Sequence, residues 1–170
     1  MMKIKHDMFN WYVIYTYPNY EKKVLKGSSQ KNISCYLPTQ KVVRQWSDRR
    51  KTIEIPLFPN YVFVYVSRQE RFKILDVNGV ANYVMHCGNP VIISDEDVDK
   101  IRRMAGERDI AVEDKLTEGS LVKIMDGPFT GMEGILFKKK GQDRFGVRIE
   151  GINQVLSIDT ANLSFTSIAI

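Results

Sequence analysis

The chain has 170 residues, enough for one ordinary domain or two small ones, and its 44% apolar and 26% charged residues are typical of a globular protein and not of a disordered one. No apolar run approaches the roughly 20 residues that cross a membrane, and the N-terminal MMKIKHDMFN has no apolar signal core, so we expect neither membrane insertion nor export. The charge is uneven: residues 1–105 hold 17 Lys and Arg against 10 Asp and Glu, which suits phosphate backbones, whereas residues 106–170 hold 8 against 10 and favour a protein partner.

The pattern through residue 105 predicts strands interspersed with helices. In chain order these are a strand at 11–17, a helix from 20 to about 31 capped by Asn19, extended segments at 33–37 and 41–46, a polar and basic hairpin tip at 47–51, strands at 52–55 and 61–66, a short helix between 67 and 79, a strand at 80–85, and a helix from 95 that Ser94 caps. Trp11 is assigned to the core. Ser67 and Glu70 fit a capping box, and Phe72 and Leu75 are predicted to face inward on the short helix that follows.

The strand YVFVYV at 61–66 carries large apolar side chains on both faces. Strand side chains alternate, so one face holds Val62, Val64 and Val66 and the other holds Tyr61, Phe63 and Tyr65. The aliphatic face is explained as core. Periodicity alone leaves two explanations for the aromatic face: the domain's own helices cover it, or it is a partner site.

The chain changes character after residue 106. The segment ERDIAVEDKLT at 107–117 is charged and without clear period, and we interpret it as a linker. The strand-like stretches SLVKIM, ILFKKK, FGVRIE and VLSID follow, separated by turns rich in glycine. Short strands at this spacing predict a small barrel.

The sequence offers little support for catalysis. His6 and His86 are far apart, no HExxH, GxSxG or Cys/His metal-ligand spacing occurs, and the glycines of DGPFTGMEG lack the GK[ST] of a phosphate loop. Cys35 and Cys87 have no CxxC spacing and are interpreted as free buried thiols in a reducing cytoplasm. We therefore predict no enzyme activity, no metal and no cofactor.

Both halves of the chain resemble one known family. The stretches WYVIYTYPNYEKKV, CYLPTQKVVRQW, PLFPNYVFVYV and NGVANYVM, followed by a capped helix, resemble the N-terminal (NGN) domain of NusG-type transcription elongation factors, and GSLVKIMDGPFTGMEGILF resembles a KOW motif. The resemblance implies an α+β fold: an NGN domain at 9–106 with an antiparallel sheet flanked by helices, a linker at 107–117, and a small all-β, SH3-like KOW barrel at 118–166.

Within that family, two stretches resemble the specialised paralogues, which are RfaH-like and Bacteroides UpxY-like antiterminators. LFPNYVFV has Asn60 where the housekeeping form usually has glycine, and VVRQWSDRRK also looks UpxY-like. The implied function is that of a monomeric, cytoplasmic processive antiterminator that binds the clamp helices of RNA polymerase. Two alternatives stay open: a housekeeping NusG that modulates pausing, termination and transcription–translation coupling, and a KOW-containing RNA-binding protein of ribosome assembly.

The resemblance also implies functional residues. The positions that match the family's aromatic pocket for the clamp helices are Tyr15, Phe58, Tyr61 and Phe63. A second polymerase contact falls at Glu70, Arg71 and Phe72, where RfaH-like proteins have His-Thr-Thr, so Phe72 has a core alternative. Phe129, at a turn tip poorly placed for a core, matches a position that contacts a ribosomal protein or termination factor.

Basic residues form the candidate nucleic-acid contacts, with non-template DNA as the implied partner. They are Lys22, Lys23 and Lys26 on the first helix and Arg49, Arg50 and Lys51 at the hairpin tip; solvated surface charge is the alternative for all of them. The run at 138–140 is three lysines, which could bind RNA but is interpreted as a solvated loop.

The KOW segment has two candidate states, because in RfaH-like proteins it can refold into a helical hairpin that covers the aromatic face. Its strand candidates here are rich in β-branched residues, and its glycines and Pro128 would each weaken a helix. We therefore predict a stable barrel, flexibly tethered by residues 107–117, that leaves the aromatic face free.

Overall fold

The computed structural model describes residues 8–113 and 118–168. Its strands are β1 (Phe9–Thr16), β2 (Ser34–Tyr36), β3 (Thr39–Gln45), β4 (Arg50–Pro56), β5 (Tyr61–Ser67), β6 (Val80–Tyr83), β7 (Met85–His86), β8 (Asn89–Pro90), β9 (Ile92–Ile93), β10 (Ala111–Glu113), β11 (Ser120–Ile124), β12 (Glu133–Lys139), β13 (Gln142–Ile149), β14 (Gln154–Asp159) and β15 (Phe165–Ser167). The α-helices are α1 (Glu21–Gln30) and α2 (Asp95–Met104), and short 3₁₀ helices lie at Glu70–Asp76, Gly127–Phe129 and Glu150–Ile152. Helices and antiparallel sheets occur together, which confirms the predicted α+β class.

The first sheet is built around an antiparallel pair of long strands. Its order is β2–β5–β1–β6, and β9 also pairs with β1. The register of β1 on β5 places Val13 opposite Phe63 and Tyr15 opposite Tyr61. Because directly opposed residues lie on the same face of a sheet, the aromatic positions of both strands other than Tyr12 share one face. Tyr12 lies opposite Val64 and belongs to the core on the other face.

The opposite face of this sheet forms the core, as the alternation predicts. Val62 and Val64 are fully buried in a cluster with Ile14 of β1 and Val24 of α1. Burial of one aliphatic side chain stabilises a fold by about 1.5–3 kcal/mol. These valines therefore hold the helix on the sheet.

Helix α1 begins one residue later than predicted and continues through Gly27, a residue of low helix propensity. Asn19 has φ 64 in the left-handed region and Tyr20 occupies the N-cap without a side-chain hydrogen bond. A Cβ on Gly27 would lie 2.9 Å from Cγ1 of Val77. The glycine thus allows close packing, and this contact offsets its low helix propensity of about 1 kcal/mol.

The predicted inward positions on the short helix are wrong. Phe72 and Leu75 are exposed, and Ile74 is the fully buried side chain. The segment is a 3₁₀ helix with three residues per turn. Positions assigned with the 3.6-residue spacing of an α-helix therefore do not coincide with its buried face. The predicted capping contact is confirmed: the backbone N–H of Glu70 donates to Oγ of Ser67 over 3.2 Å.

The hairpin of β3 and β4 is a two-stranded ribbon with the predicted basic tip. Seven residue pairs join the two strands, from Thr39 opposite Pro56 to Gln45 opposite Arg50. The turn spans 46–49 and is closed by the N–H of Trp46, which donates to the carbonyl of Arg49 over 2.8 Å.

The segment predicted as a KOW domain is made of strands and two short 3₁₀ turns, and it contains no α-helix among its described residues. Its antiparallel sheet has the order β10–β14–β13–β12–β11–β15. Phe145 and Ile149 of β13 and Leu156 of β14 are fully buried. The strand state predicted from β-branched residues and glycines is therefore confirmed.

Part of the segment predicted as a linker forms a strand, and the bounds of the linker stay a prediction. Residues 111–113 form β10, which pairs with β14, and residues 114–117 lie outside the described residues. The buried Arg144 explains the difference, because its Nη2 donates to the carbonyl of Asp109 over 2.8 Å and its Nε donates to Oγ of Ser157 over 2.9 Å. Oγ of Ser157 in turn donates to Glu113 over 2.9 Å. No periodicity in ERDIAVE reveals these tertiary contacts.

By contacts, the chain divides into one unit of residues up to 37 and 58–95 and another of 38–57 and 96 onward. The hairpin and most of α2 thus group with the second unit, whereas the sequence assigned them to the first domain. The domain limits at 106 and 118 stay a prediction, since a contact grouping does not establish which part folds independently.

No helix of the described residues is long and apolar enough to cross a bilayer. Both cysteines are free, but Cys87 is exposed and not buried as predicted.

Arg144→Met should destabilise the second unit by about 2 kcal/mol, because removal of the buried guanidinium leaves its hydrogen-bond acceptors on Ser157 unsatisfied. Amide hydrogen exchange of β13 and β14 in the full chain measures this. Arg148→Met is the matched control, since Arg148 lies on the same strand with an exposed side chain. Equal protection in the two variants would contradict the structural role of Arg144.

Candidate functional site

The aromatic face is the side of the first sheet that carries the aromatic side chains of β1, β2 and β5. Its members are Phe9, Trp11, Tyr15, Tyr36, Tyr61, Phe63 and Tyr65. Neighbouring rings contact one another along the face; for example, the centroids of Trp11 and Tyr65 lie 5.0 Å apart. The rings of the face form local groups, and their members differ in exposure.

Tyr15 and Tyr61 form the accessible part that the sequence predicted. Tyr15 is 42% exposed and Tyr61 is half-buried. Their rings meet edge to face, with centroids 5.0 Å apart and an interplanar angle of 71°, and their hydroxyl oxygens share a hydrogen bond of 3.2 Å. Tyrosine suits an interface because it buries a large ring and keeps a hydroxyl that can bond to a partner.

Phe58 and Phe63 do not lie at the surface in this conformation, and their contact with a partner stays a prediction. They are 2% and 0% exposed, and their rings pack edge to face with centroids 5.9 Å apart. Phe63 also packs against Tyr36, whose ring centroid lies 6.2 Å away. The pair therefore supports the aromatic face from within.

The turn before β5 positions Tyr61, and it depends on Glu21, which the sequence analysis does not single out. Asn60 has φ 66, a left-handed conformation that asparagine tolerates and that suits glycine equally well. Its N–H donates to Oε1 of the buried Glu21 over 2.9 Å, and its carbonyl accepts from the N–H of Thr16 over 2.8 Å. The sequence does not distinguish Glu21 from an ordinary acidic residue in the first turn of a helix. Its partner, the N–H of Asn60, lies 39 residues away in the chain.

The environment of Tyr61 alters its acidity. Burial raises the pKa of the Tyr61 phenol to about 12, and the hydrogen bond and charge interaction with Tyr15 add to the increase. A raised pKa means that the neutral phenol is favoured. The aromatic face is therefore uncharged at the Tyr61 position throughout the physiological pH range.

Glu70, Arg71 and Phe72 form a surface cluster. The guanidinium of Arg71 lies 5.1 Å from the centroid of the exposed Phe72 ring, and Glu70 pairs with Lys73 at 2.8 Å. The carbonyl of Arg71 accepts a hydrogen bond from the Tyr83 hydroxyl. The core alternative for Phe72 is thus excluded, and the cluster is available for contact.

The predicted basic contacts are all exposed. Lys22, Lys23 and Lys26 lie on the outer side of α1, where Nζ of Lys23 stands 4.4 Å from the centroid of the Tyr20 ring. Arg49, Arg50 and Lys51 are at the hairpin tip. The two sets lie in different contact units, so each is considered by itself.

Phe129 is buried, contrary to its prediction as an exposed contact. It ends the 3₁₀ turn Gly127–Phe129, and Arg103 of α2 donates to the carbonyls of Pro128 and Thr130 over 3.0 and 3.1 Å.

Of the lysines at 138–140, Lys139 pairs with Glu113, which favours a structural role. Among the described residues, no three His, Cys, Asp or Glu side chains are grouped to hold a metal ion.

Comparisons with known proteins agree on one family. The family model described as transcription termination factor nusG matches residues 9–102. The transcription termination/antitermination protein NusG of Pseudomonas aeruginosa is 29% identical over 140 residues, covering 74% of this chain and 79% of that protein. The protein of the same name from Halalkalibacterium halodurans is 29% identical over 145 residues, covering 75% and 80%. A structure solved to study domain interaction in Thermotoga maritima NusG is 25% identical, with a TM-score of 0.50 over 92% of this chain and 97% of that one.

Tyr61 should titrate near pH 12, and Tyr15→Phe should lower that value by removing the hydroxyl partner while burial remains. Because the folded pKa lies above the ordinary value of about 10, the stability contributed by the neutral phenol is complete below pH 10 and is lost as pH rises towards 12. Ring-carbon NMR of Tyr61 measures both. Ionisation of Tyr61 at pH 10 in the folded wild type would contradict the described contact.

Proposed function

This chain belongs to the NusG family of transcription termination and antitermination factors, and on that premise we propose that it is a processive antiterminator that docks on the clamp helices of RNA polymerase through the aromatic face. Members of this family are transcription factors and not enzymes. In this proposal the protein acts in the cytoplasm as a monomer, and docking bridges the cleft over the DNA and discourages pausing.

The observation that carries the proposal is the partly exposed Tyr15–Tyr61 pair on a sheet whose other face carries the core cluster. Two adjacent tyrosines with a shared hydrogen bond are held in one orientation by the turn at Asn60. A preorganised aromatic pair loses little conformational entropy on binding. Phe58 and Phe63 back the pair, so their substitution should act through stability.

Further contacts complete the proposal. Lys22, Lys23 and Lys26 contact the displaced non-template DNA strand, and Glu70, Arg71 and Phe72 make a second polymerase contact. The barrel binds a ribosomal protein or termination factor. Such a partner would reach Phe129 only if its ring became exposed, because the ring is buried here.

A housekeeping NusG role is the alternative within the family. In vitro transcription with and without a candidate leader sequence separates the two, because a specialised antiterminator requires the leader and a housekeeping factor does not. The remaining alternative, an RNA-binding protein of ribosome assembly, does not need an exposed tyrosine pair and is disfavoured by the family match.

Tyr61→Ala should weaken binding to core RNA polymerase by roughly 2 kcal/mol, or about 30-fold, as expected for an aromatic hot spot. Tyr15→Ala should act in the same direction. Surface plasmon resonance with immobilised polymerase measures the affinity, and circular dichroism confirms folding.

Phe165→Ala is the matched control for this experiment. Phe165 is 40% exposed, close to the 42% of Tyr15, but lies in the second unit. Wild-type affinity in a folded Tyr61→Ala variant, or an equal loss in Phe165→Ala, would argue against docking through the tyrosine pair.

Lys23→Glu should reduce recruitment to a transcribing complex and weaken its dependence on salt, because a phosphate contact releases counterions. Gel shifts of reconstituted elongation complexes at two salt concentrations provide the measurement. Lys123→Glu is the control, since Lys123 pairs with Glu133 in the second unit. If both reversals leave recruitment unchanged, the lysines of α1 are solvated charges.

A further inference from the structure

The hairpin of β3 and β4 exposes a tryptophan at its tip. The indole of Trp46 is 57% exposed, whereas Trp11, the only other tryptophan, is 8% exposed. Seven residue pairs at about 3.3 Å each carry the tip roughly 20 Å from the base of the ribbon. An exposed indole at the end of a projecting ribbon buries no core surface, so its contribution to folding is small.

The backbone that presents Trp46 is held by hydrogen bonds. The N–H of Trp46 donates to the carbonyl of Arg49 over 2.8 Å, and its own carbonyl accepts from Nε2 of Gln45 over 3.1 Å. Oε1 of Gln45 accepts from Nε of Arg50 over 3.1 Å. These contacts fix the indole on a defined turn.

The charge around Trp46 is positive and poorly balanced. Residues 44–51, RQWSDRRK, hold four basic residues and one acidic residue, a net charge of +3. Arg44 lies directly opposite Lys51 in the ladder. Like charges in opposed positions destabilise a hairpin, and within the described part of the chain neither residue forms an ion pair. An anionic ligand would remove this repulsion.

We propose that the hairpin tip binds single-stranded nucleic acid, with one base stacked on Trp46 and the flanking phosphates on Arg44, Arg49, Arg50 and Lys51. An aromatic side chain among cations matches the alternating bases and phosphates of a single strand. A duplex offers the phosphates but keeps its bases stacked inside, which would leave the indole unused. The inference extends the nucleic-acid part of the proposed function and does not depend on polymerase docking.

The test titrates the full chain with a 12-nucleotide single-stranded DNA of mixed sequence. Parallel titrations use the blunt duplex of that sequence, heparin, which has charge but no bases, and vesicles containing one-third anionic lipid. Because Trp11 is buried, quenching of tryptophan fluorescence reports mainly on Trp46. Anisotropy of a labelled strand gives the affinity.

Trp46→Ala should lower affinity for the single strand by at least about fivefold, the lower end of a base–aromatic stack, and leave heparin binding unchanged. Trp46→Phe should restore part of the loss. The double variant Arg44→Ala, Lys51→Ala should bind both the single strand and heparin more weakly. The slope of log affinity against log salt concentration should fall by about one for each phosphate that the protein no longer neutralises. Arg148→Ala is the arginine control on an exposed strand position.

Three results would overturn the inference: unchanged single-strand affinity in Trp46→Ala, an equal loss for the single strand and heparin in that variant, or duplex or vesicle binding that is as tight and as dependent on Trp46. Polymerase binding by Trp46→Ala is measured separately and should equal wild type. A protein that fails to bind polymerase but keeps Trp46-dependent strand binding would contradict only the docking proposal.

Discussion

The antiparallel pairing of β1 with β5 is the constraint on which the first unit depends. Its register puts Val13 opposite Phe63 and Tyr15 opposite Tyr61, and the alternation of side chains then separates an aliphatic face from an aromatic one. A slip of one residue would exchange the two faces. The valines would no longer pack on α1, and the tyrosine pair would lie in the core. One pairing therefore decides both stability and the location of the proposed docking surface.

Buried polar residues connect segments that hydrophobic packing alone would leave loose. Glu21 accepts from the N–H of Asn60 and joins α1 to the turn before β5. In the second unit, Arg144 joins Asp109 to β13 and β14, and Glu113 accepts from Ser157. A buried polar group without a partner costs about 1–3 kcal/mol. Each network therefore favours one arrangement of its loop.

The two proposed contact surfaces differ in chemistry, which makes them separable by experiment. The Tyr15–Tyr61 pair is uncharged and suited to a protein groove, so salt should affect it little. The tip around Trp46 combines an indole with four cations, so both salt and base stacking should matter. Substitution in one surface should leave the other intact.

The sequence by itself determined the family, the α+β class, the aliphatic core of the first sheet, the strand state of the KOW segment and the basic hairpin tip, because these follow from alternation, local propensity and motif spacing. The resemblance to the family also implied an accessible Tyr15. Tertiary structure alone decided that Phe58, Phe63 and Phe129 are buried and that Phe72 is exposed, since burial depends on what covers a side chain and not on its neighbours in sequence. It also decided that part of 107–117 is a strand and that Glu21 positions the Asn60 turn, because both require partners about 40 residues away, brought close only by folding.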